Sequence, residues 1–282
     1  MSYKSILVCL DEHRTNAGLM KVSADLAFKL DAKAVGIAVS QPLLIGSENV
    51  YVPADVFDDH CKKTEARLLA LEASFEQAMT HAQAEFGWHS KITIQPHVQY
   101  VSGYSRASDL LMVSIRESHN AEPGIEKNSE TTSDIAGELV LQSGRPVLLV
   151  PNDVETLELN SALICWQDTK EARRALADAI PLLQKCAQVR LLELYKKDQH
   201  ETSNNHLTQI VHWLLSHGIH AHAASLESNG NDAEQLQAYA GEYEVDLLIG
   251  GAFGHSRIRE WMFGGVTRNL FFHGAQCALI SH

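Results

Sequence analysis

Two stretches of sequence decide the fold: Ser5-Ile-Leu-Val-Cys-Leu-Asp11 and Ser161-Ala-Leu-Ile-Cys-Trp166. Each is an apolar run of strand length, followed by a polar turn and an amphipathic stretch, over 17–30 in the first case and 172–183 in the second. A second short apolar run comes next in both, so each copy predicts two parallel strands joined by a helix. The chain is therefore an internal repeat of one α/β unit.

The repeat continues beyond these units. Asp109-Leu-Leu-Met-Val-Ser114 matches Asp246-Leu-Leu-Ile-Gly250, and Arg145-Pro-Val-Leu-Leu-Val150 matches Gln276-Cys-Ala-Leu-Ile280. Near-continuous apolar runs of this kind are typical of strands that are buried on both faces. Alternating strands and helices predict a doubly wound parallel sheet, with ligands bound beyond the carboxyl ends of its strands, where the strand order reverses.

Length and composition fit two domains of ordinary size, because 282 residues that are 45% hydrophobic can bury two cores. The polar connection 151–160 places the boundary near residue 155, giving domains 1–155 and 156–282.

A net charge of -12 disfavours binding to nucleic acid or to anionic membranes. Five scattered cysteines without a C-x-x-C spacing favour unpaired thiols. With no apolar run of signal-peptide or membrane-spanning length, we expect a cytoplasmic protein.

The first half is less regular than the second. The apolar residues between Ile92 and Val101 predict a strand, which leaves only Ser102 to Ser108 before the next strand. So few residues cannot form a crossover helix, and we expect one crossover of this half to be irregular. The segment 117–133 is rich in Glu, Asn, Ser and Thr, and it predicts a surface loop.

A glycine-rich stretch follows the predicted strand 246–250. Its glycines are Gly251, Gly254, Gly264 and Gly265, and its arginines are Arg257, Arg259 and Arg268. Glycine lets backbone amides approach an anion closely, and a helix starting near Gly265 would direct its N–H groups and positive dipole end at the same point. The arginines make the stretch basic in an acidic chain. The pattern predicts a phosphate site, although it is neither a Walker A motif nor G-x-G-x-x-G.

The spacing Gly251-x-x-Gly254, nine residues, Gly264, a small residue and Val266 resembles the ATP-binding motif of universal stress proteins. The resemblance spans nearly the whole chain as two tandem copies. It implies two Rossmann-like (adenine nucleotide alpha hydrolase-like) α/β domains, each a five-stranded mainly parallel sheet with flanking helices. It also implies ATP or another adenine nucleotide as the ligand, with Mg²⁺ where the nucleotide carries it. The two domains would pair as an intramolecular pseudo-dimer, and the chain would form a homodimer.

The resemblance also implies which residues bind. Main-chain groups of the glycine-rich stretch would hold ribose and phosphates, and the strand end near Leu194 would meet the purine edge. Gln167 stands at the tip of the first strand of the second half, where its amide can serve as donor and acceptor to the purine. The predicted binding residues are Gln167, Leu194, Gly251, Gly254, His255, Ser256, Arg257, Gly264, Gly265, Val266 and Thr267. No catalytic residue or metal ligand is assigned, and the five histidines between 206 and 222 lack a compact metal-ligand spacing.

The residues leave alternatives open. Gln167 and Gly265 replace an Asp and a Ser or Thr of the family pattern, and the first half has Ser114-Ile-Arg-Glu-Ser-His119 in place of the glycine-rich stretch. We therefore expect no ATP in the first half, where Asp11 is either a ligand-binding strand tip or a turn or cap residue. The favoured function is a stress-response regulatory or sensing module that binds ATP without turnover. A nucleotide-free scaffold acting through a dimer surface and a slow ATP hydrolase are the alternatives.

Overall fold

The computed structural model describes residues 2–42, 54–115, 132–197, 199–252, 271 and 275–282. In the described part of the first half, strands and helices alternate. They are β1 (Ser5–Leu10), α1 (Ala17–Leu30), β2 (Lys33–Ser40), α2 (Ala54–His81), β3 (Phe86–Ile92), α3 (His97–Tyr104), β4 (Leu110–Ile115), α4 (Thr132–Gln142) and β5 (Val147–Pro151). The strands and helix predicted from the opening repeat agree with these bounds to within one or two residues.

The second half repeats this order. Its elements are β6 (Ser161–Trp166), α5 (Lys170–Leu183), β7 (Gln188–Tyr195), α6 (His200–Ser216), β8 (Ala221–Glu227), α7 (Asp232–Glu242), β9 (Leu247–Gly251) and β10 (Cys277–Ser281). Most of the chain between β9 and β10 lies outside the described residues. None of the described helices is both long and apolar enough to cross a membrane.

All ten strands form one sheet in the order β3-β2-β1-β4-β5-β10-β9-β6-β7-β8. Neighbouring strands within each half are parallel, and the arrangement of the first half recurs in the second. The strand order reverses between β1 and β4, and again between β6 and β9. The predicted doubly wound α/β fold is therefore confirmed. The connection 152–160 joins the halves, and a domain boundary near residue 155 stays a prediction.

The two halves meet at the antiparallel pair of β5 and β10, in which Leu148 lies opposite Leu279. Every residue of both strands is buried. Because β10 also pairs with β9, it is an internal strand and not a sheet edge. The sheet ends at β3 and β8. The β5–β10 pair therefore joins the two halves within one chain, and a homodimer stays a prediction.

Helices cover both faces of the sheet. One hydrophobic cluster on the first face contains residues of α1, α2, α5 and α6, and it extends from Phe75 in the first half to Leu214 in the second. The cluster on the other face contains residues of α3, α4 and α7. Successive side chains of a strand point to opposite faces, so a central strand such as β1 supplies both clusters. Since the first cluster spans both halves, the halves are packed together and are not separate units joined only by a linker.

The expectation of an irregular crossover in the first half is wrong. The strand predicted from Ile92 to Val101 is wrong as well, because β3 ends at Ile92 and His97–Tyr104 forms α3 between β3 and β4. Val98 and Val101 are buried, and their spacing of three residues fits one face of a helix. The helix has only eight residues, which is too few for its periodicity to stand out beside the apolar run that precedes it. All four connections between successive strands of the first half therefore contain a helix.

The matched aspartates of the repeat have the same structural role. Asp109 accepts hydrogen bonds from the backbone N–H groups of Lys4 and Ser5, at 2.7 and 3.0 Å. Asp246 accepts from two backbone N–H groups at the start of β6, at 2.7 and 3.3 Å. Each aspartate precedes the strand that pairs with the first strand of its half, and its carboxylate fixes the start of that first strand.

Asp246 gives the chain a pH dependence opposite in sign to that of most carboxylates. Burial raises the pKa of Asp246, against the lowering effect of its backbone N–H donors. The folded chain then retains a proton that the unfolded chain releases, so the contribution of Asp246 to stability improves as pH falls. Urea denaturation of wild type and of Asp246→Asn gives the free energy of unfolding of each. We expect the wild-type value, relative to that of Asp246→Asn, to be higher at about pH 4 than at about pH 7. A constant difference, or a shift in the other direction, would contradict this.

Candidate functional site

The predicted nucleotide site lies at the carboxyl ends of three neighbouring internal strands, β9, β6 and β7. We refer to this side of the sheet as the carboxyl edge. Gln167 directly follows β6, Leu194 is the next-to-last residue of β7, and Gly251 ends β9. Because these strands are parallel, the three residues share one edge. That edge contains the β6–β9 switch point, where open α/β sheets bind ligands. Gln167 is exposed, whereas Leu194 and Gly251 are half-buried.

Gly251 is required by the packing of β9 against α5. A Cβ at this position would lie 2.4 Å from the backbone nitrogen of Ala172 and 2.5 Å from the carbonyl carbon of Glu171. Both are backbone atoms of the first turn of α5, which no side-chain rotation can move. The preceding residue, Gly250, faces the other side, where a Cβ would meet the ring of Phe271 at 2.4 Å. Both glycines therefore have a packing role that is independent of any ligand.

The amino terminus of α5 faces the same edge, and the protein itself compensates its positive end. Thr169 is the N-cap, and its hydroxyl accepts a hydrogen bond from the backbone N–H of Ala172 at 3.2 Å. Glu171, in the first turn, is only 3% exposed, and its carboxylate lies 3.4 Å from the Lys170 ammonium. A hydroxyl and a carboxylate thus occupy the helix end that would otherwise attract an anion. A phosphate here needs donors from outside α5.

The connection from β6 to α5 is short and internally bonded. The backbone N–H of Thr169 donates to the carbonyl of Gln167 at 2.7 Å. The carboxylate of Asp168 accepts a hydrogen bond from the guanidinium of Arg173 at 2.6 Å. Gln167 is exposed at the tip of the turn, so its side-chain amide is accessible to a molecule at the sheet edge.

Most of the predicted phosphate-binding residues lie outside the described residues. They are Gly254, His255, Ser256, Arg257, Gly264, Gly265, Val266 and Thr267. The structure thus describes the strand ends of the predicted site, and the assignments in the glycine-rich stretch stay predictions. The loop predicted over 117–133 also lies outside the described residues as far as residue 131, and α4 begins at Thr132.

The first half has a cleft at the corresponding edge, where the sequence predicts no nucleotide. Its volume is about 480 Å³, and it lies at the carboxyl ends of β1, β2 and β4. Polar side chains from separate elements line it, among them Asp11, Ser40, His97, Ser114 and Asn152. A cleft of this size can hold a small molecule. Sequence reasoning missed it because these residues are far apart along the chain and because His97 lies on the unpredicted helix α3.

Asp11 takes part in a hydrogen-bonded turn at this cleft. Its side chain accepts from the backbone N–H of His13 at 2.8 Å and lies 3.0 Å from Arg14 Nε. Asn16, the N-cap of α1, accepts from the backbone N–H of Asp11 and donates to its carbonyl. The sequence leaves Asp11 as either a ligand-binding strand tip or a turn or cap residue, and these contacts show that it acts as a turn residue. Its carboxylate is still 39% exposed.

Ser114 stands in the first half where Gly251 stands in the second, and its hydroxyl donates to the side chain of Asn152. The connection before the helix also differs, since six residues connect β1 to α1 and three connect β6 to α5. The two halves therefore differ at their switch points in geometry as well as in sequence.

Among the residues that the structure describes, no group of three or more His, Cys, Asp or Glu side chains could hold a metal ion. In the histidine-rich region, His206 Nδ1 lies 3.3 Å from a carboxylate oxygen of Glu193. The five cysteines form no disulfide. Burial raises the pKa of Cys165 and of Cys277 to about 12, so neither is a reactive thiolate near neutral pH.

Known protein structures share this fold over the whole chain. A universal stress protein from Archaeoglobus fulgidus is 14% identical and superposes with a TM-score of 0.73, covering 98% of this chain and 95% of that one. A functionally unknown protein from Pseudomonas aeruginosa is 13% identical, with a TM-score of 0.58 and coverage of 99% and 92%. No protein-family model and no curated protein sequence matches the chain. The resemblance seen in the sequence is thus confirmed for the fold, which is that of a tandem universal stress protein.

Proposed function

We propose that this chain binds an adenine nucleotide, with ATP as the first candidate, at the β6–β9 switch point, and acts as a cytoplasmic stress-response regulatory module. The observation that carries the proposal is the meeting of Gln167, Leu194 and Gly251 at one edge of three neighbouring parallel strands. The glycine-rich stretch that continues from Gly251 supplies the remaining donors. The shared fold with a universal stress protein structure is consistent with this assignment.

Each described residue has a distinct part in binding. The exposed amide of Gln167 offers a donor and an acceptor to the purine edge, and half-buried Leu194 offers apolar contact beside it. The glycine-rich stretch would bind the phosphates, because Thr169 and Glu171 occupy the amino terminus of α5. A Mg²⁺ ion would be held by the phosphates, since Asp168 is already paired with Arg173.

Isothermal titration of the full chain with ATP tests the proposal. We expect one saturable site, and we expect Gln167→Ala to weaken ATP binding about fivefold to tenfold through the lost hydrogen bonds. Gln167 is exposed, so the thermal stability of the variant is expected to stay unchanged. The matched control is Gln41→Ala, at the end of β2 beside the first-half cleft, which is expected to bind ATP like wild type.

The outcomes separate the alternatives. No binding of ATP, ADP or AMP would overturn the proposal and favour a nucleotide-free scaffold. Loss of binding in Gln41→Ala but not in Gln167→Ala would move the site to the first half. Release of labelled phosphate from ATP, measured on the same samples, tests the slow-hydrolase alternative.

A further inference from the structure

The edge strand β8 leaves one side of its backbone unpaired. It pairs with β7 in a regular parallel register, and it has no partner on its outer side among the described residues. The N–H of Ser228, directly after the strand, donates to the carbonyl of Tyr195 on β7 at 2.8 Å. Because backbone direction alternates along a strand, the N–H and C=O groups of every second residue point away from β7. These outward residues are Ala221, Ala223, Ser225 and Glu227.

The sequence that forms this end of the sheet is uncharged. From Thr202 to Leu226 it contains no Asp, Glu, Lys or Arg, although 21% of the chain is charged. The stretch contains nearly all of α6 and β8. Edge strands of monomeric proteins are commonly protected by a charged side chain, often a lysine, which prevents pairing with another strand. On β8 the first such charge is Glu227, its last residue.

The other end of the sheet, formed by α2 and β3 of the first half, has the protection that β8 lacks. Lys91 is exposed on β3, and every other residue of that strand is half-buried. Exposed charged pairs such as Asp59 and Lys63 cover α2. On β8, four of the seven residues are exposed. Corresponding units of the repeat therefore differ, and β8 is the end that is open to another strand.

Helix α6 extends the uncharged surface along the outer side of β8. A groove of about 460 Å³ lies between the two elements, and Asn204, Thr208 and His212 line it from α6. Their spacing of four residues places them on one stripe of the helix. Gln209 faces the opposite side of α6, towards α5. The Ser225 hydroxyl donates to the side chain of Asn204 at 2.9 Å, so the stripe lies beside the middle of β8.

The outer side of β8 is complementary to itself. A two-fold axis at Ala224 would set two copies of β8 antiparallel. Ala223 would then lie opposite Ser225 of the partner subunit, and Ala221 opposite Glu227 of the partner subunit, so that all outward N–H and C=O groups of both strands are paired. A net charge of -12 makes two copies repel each other over most of their surface, and the uncharged end is where they can approach.

We propose that two copies of the chain associate through β8, so that their ten-stranded sheets join into one continuous sheet. The two α6 helices pack side by side across the axis, where the short side chains of Asn204 and Thr208 allow a close approach. On the other face of the sheet, the exposed side chain of Leu226 packs on His222 of the partner subunit. This surface is separate from the proposed nucleotide site, so dimerisation is expected with or without ATP.

Sedimentation equilibrium of the full chain tests the proposal. We expect a dimer with a Kd of about 10 μM or below. Ala223→Pro removes an outward N–H that the monomer does not use, and edge strands tolerate proline at such positions. We therefore expect this variant to fold and to dimerise about tenfold more weakly.

Ser90→Pro is the matched control for the proline variant. The N–H of Thr93 donates to the carbonyl of Ser40 on β2, so by alternation the N–H of Ser90 points away from β2 at the other end of the sheet. The same change is thus made at an outward N–H, but on β3. This variant is expected to dimerise like wild type.

A second pair of variants tests the part played by charge. Thr208→Glu places a negative charge on the stripe of α6 near the axis, and we expect it to weaken dimerisation about tenfold and to regain affinity in high salt. Gln209→Glu introduces the same charge at the neighbouring residue, on the side of α6 that faces α5. It is expected to dimerise like wild type.

A cysteine pair tests the register. In the proposed dimer, Ala224→Cys sets two thiols opposite each other with Cα atoms about 4.5 Å apart, a distance that a disulfide spans. We expect diamide to cross-link this variant into a covalent dimer. Leu226→Cys, whose two copies would lie about 14 Å apart, is expected to stay uncross-linked.

Three outcomes would overturn the proposal. The first is a wild-type chain that stays monomeric at about 100 μM. The second is a dimer that neither Ala223→Pro nor Thr208→Glu weakens. The third is a dimer that Ser90→Pro weakens, which would place the contact on β3.

Discussion

We expect Gly251→Val to lower the free energy of unfolding by about 3 kcal/mol, because the new side chain overlaps backbone atoms that cannot rotate away. The Cβ alone would lie 2.4 Å from the nitrogen of Ala172 and 2.5 Å from the carbonyl carbon of Glu171. The chain can relieve the overlap only by moving α5 off the end of β9, which disturbs the packing of buried residues such as Ala175. Urea denaturation followed by circular dichroism measures the loss.

The control for this prediction is Gly241→Ala, within α7. A Cβ there meets nothing within 4 Å, so the substitution adds no overlap. Since alanine loses less conformational entropy than glycine in a helix, we expect Gly241→Ala to raise stability by about 0.5 kcal/mol. If Gly251→Val were as stable as wild type, the inference that β9 packs too closely against α5 for a side chain at position 251 would be contradicted.

The packing role of Gly251 also affects how a loss of function at this site is interpreted. A Gly251 variant that no longer binds ATP does not identify a ligand contact, because the displaced α5 would alter the whole edge. Gln167→Ala avoids this problem, since its side chain is exposed and takes no part in the packing of α5 against β9. The nucleotide proposal therefore depends on Gln167 for its test, although the glycine motif is the more prominent feature of the sequence.

The strands of the repeat could be predicted from the sequence because they are near-continuous apolar runs with a second copy for comparison. The helix α2 has no such signal. It spans 28 residues, of which only Thr64, Leu68, Phe75 and Met79 are described as buried. Their spacing follows one face of a helix, but so narrow a stripe within a mostly polar segment gives weak periodicity. The eight-residue helix α3 is too short to give a clear period.

The strand ends of the candidate site could be placed from the sequence, because parallel strands bring their carboxyl ends to one edge. The first-half cleft could not be predicted, because it combines Asp11, Ser40 and Asn152, which meet only through the sheet order.

Leu279→Ala is expected to destabilise both halves of the chain together. Leu279 is fully buried in β10, lies opposite Leu148 of β5 and pairs with Ile249 of β9. Removing its side chain leaves a cavity at the junction of the halves, and such a Leu→Ala change in a core costs about 3 kcal/mol. Because the core cluster on this face spans both halves, we expect one unfolding transition at a lower urea midpoint.

The measurement needs two probes and a matched control. Circular dichroism reports on the helices of both halves, and tryptophan fluorescence reports on Trp88 in the first half and on Trp166, Trp213 and Trp261 in the second. Coincident transitions in wild type and in Leu279→Ala would show that the halves unfold as one unit. Leu226→Ala, at the 38% exposed position on the edge strand β8, is expected to cost less than about 1 kcal/mol. Two separate transitions in Leu279→Ala, with the first half unaffected, would mean that the β5–β10 pair does not couple the halves.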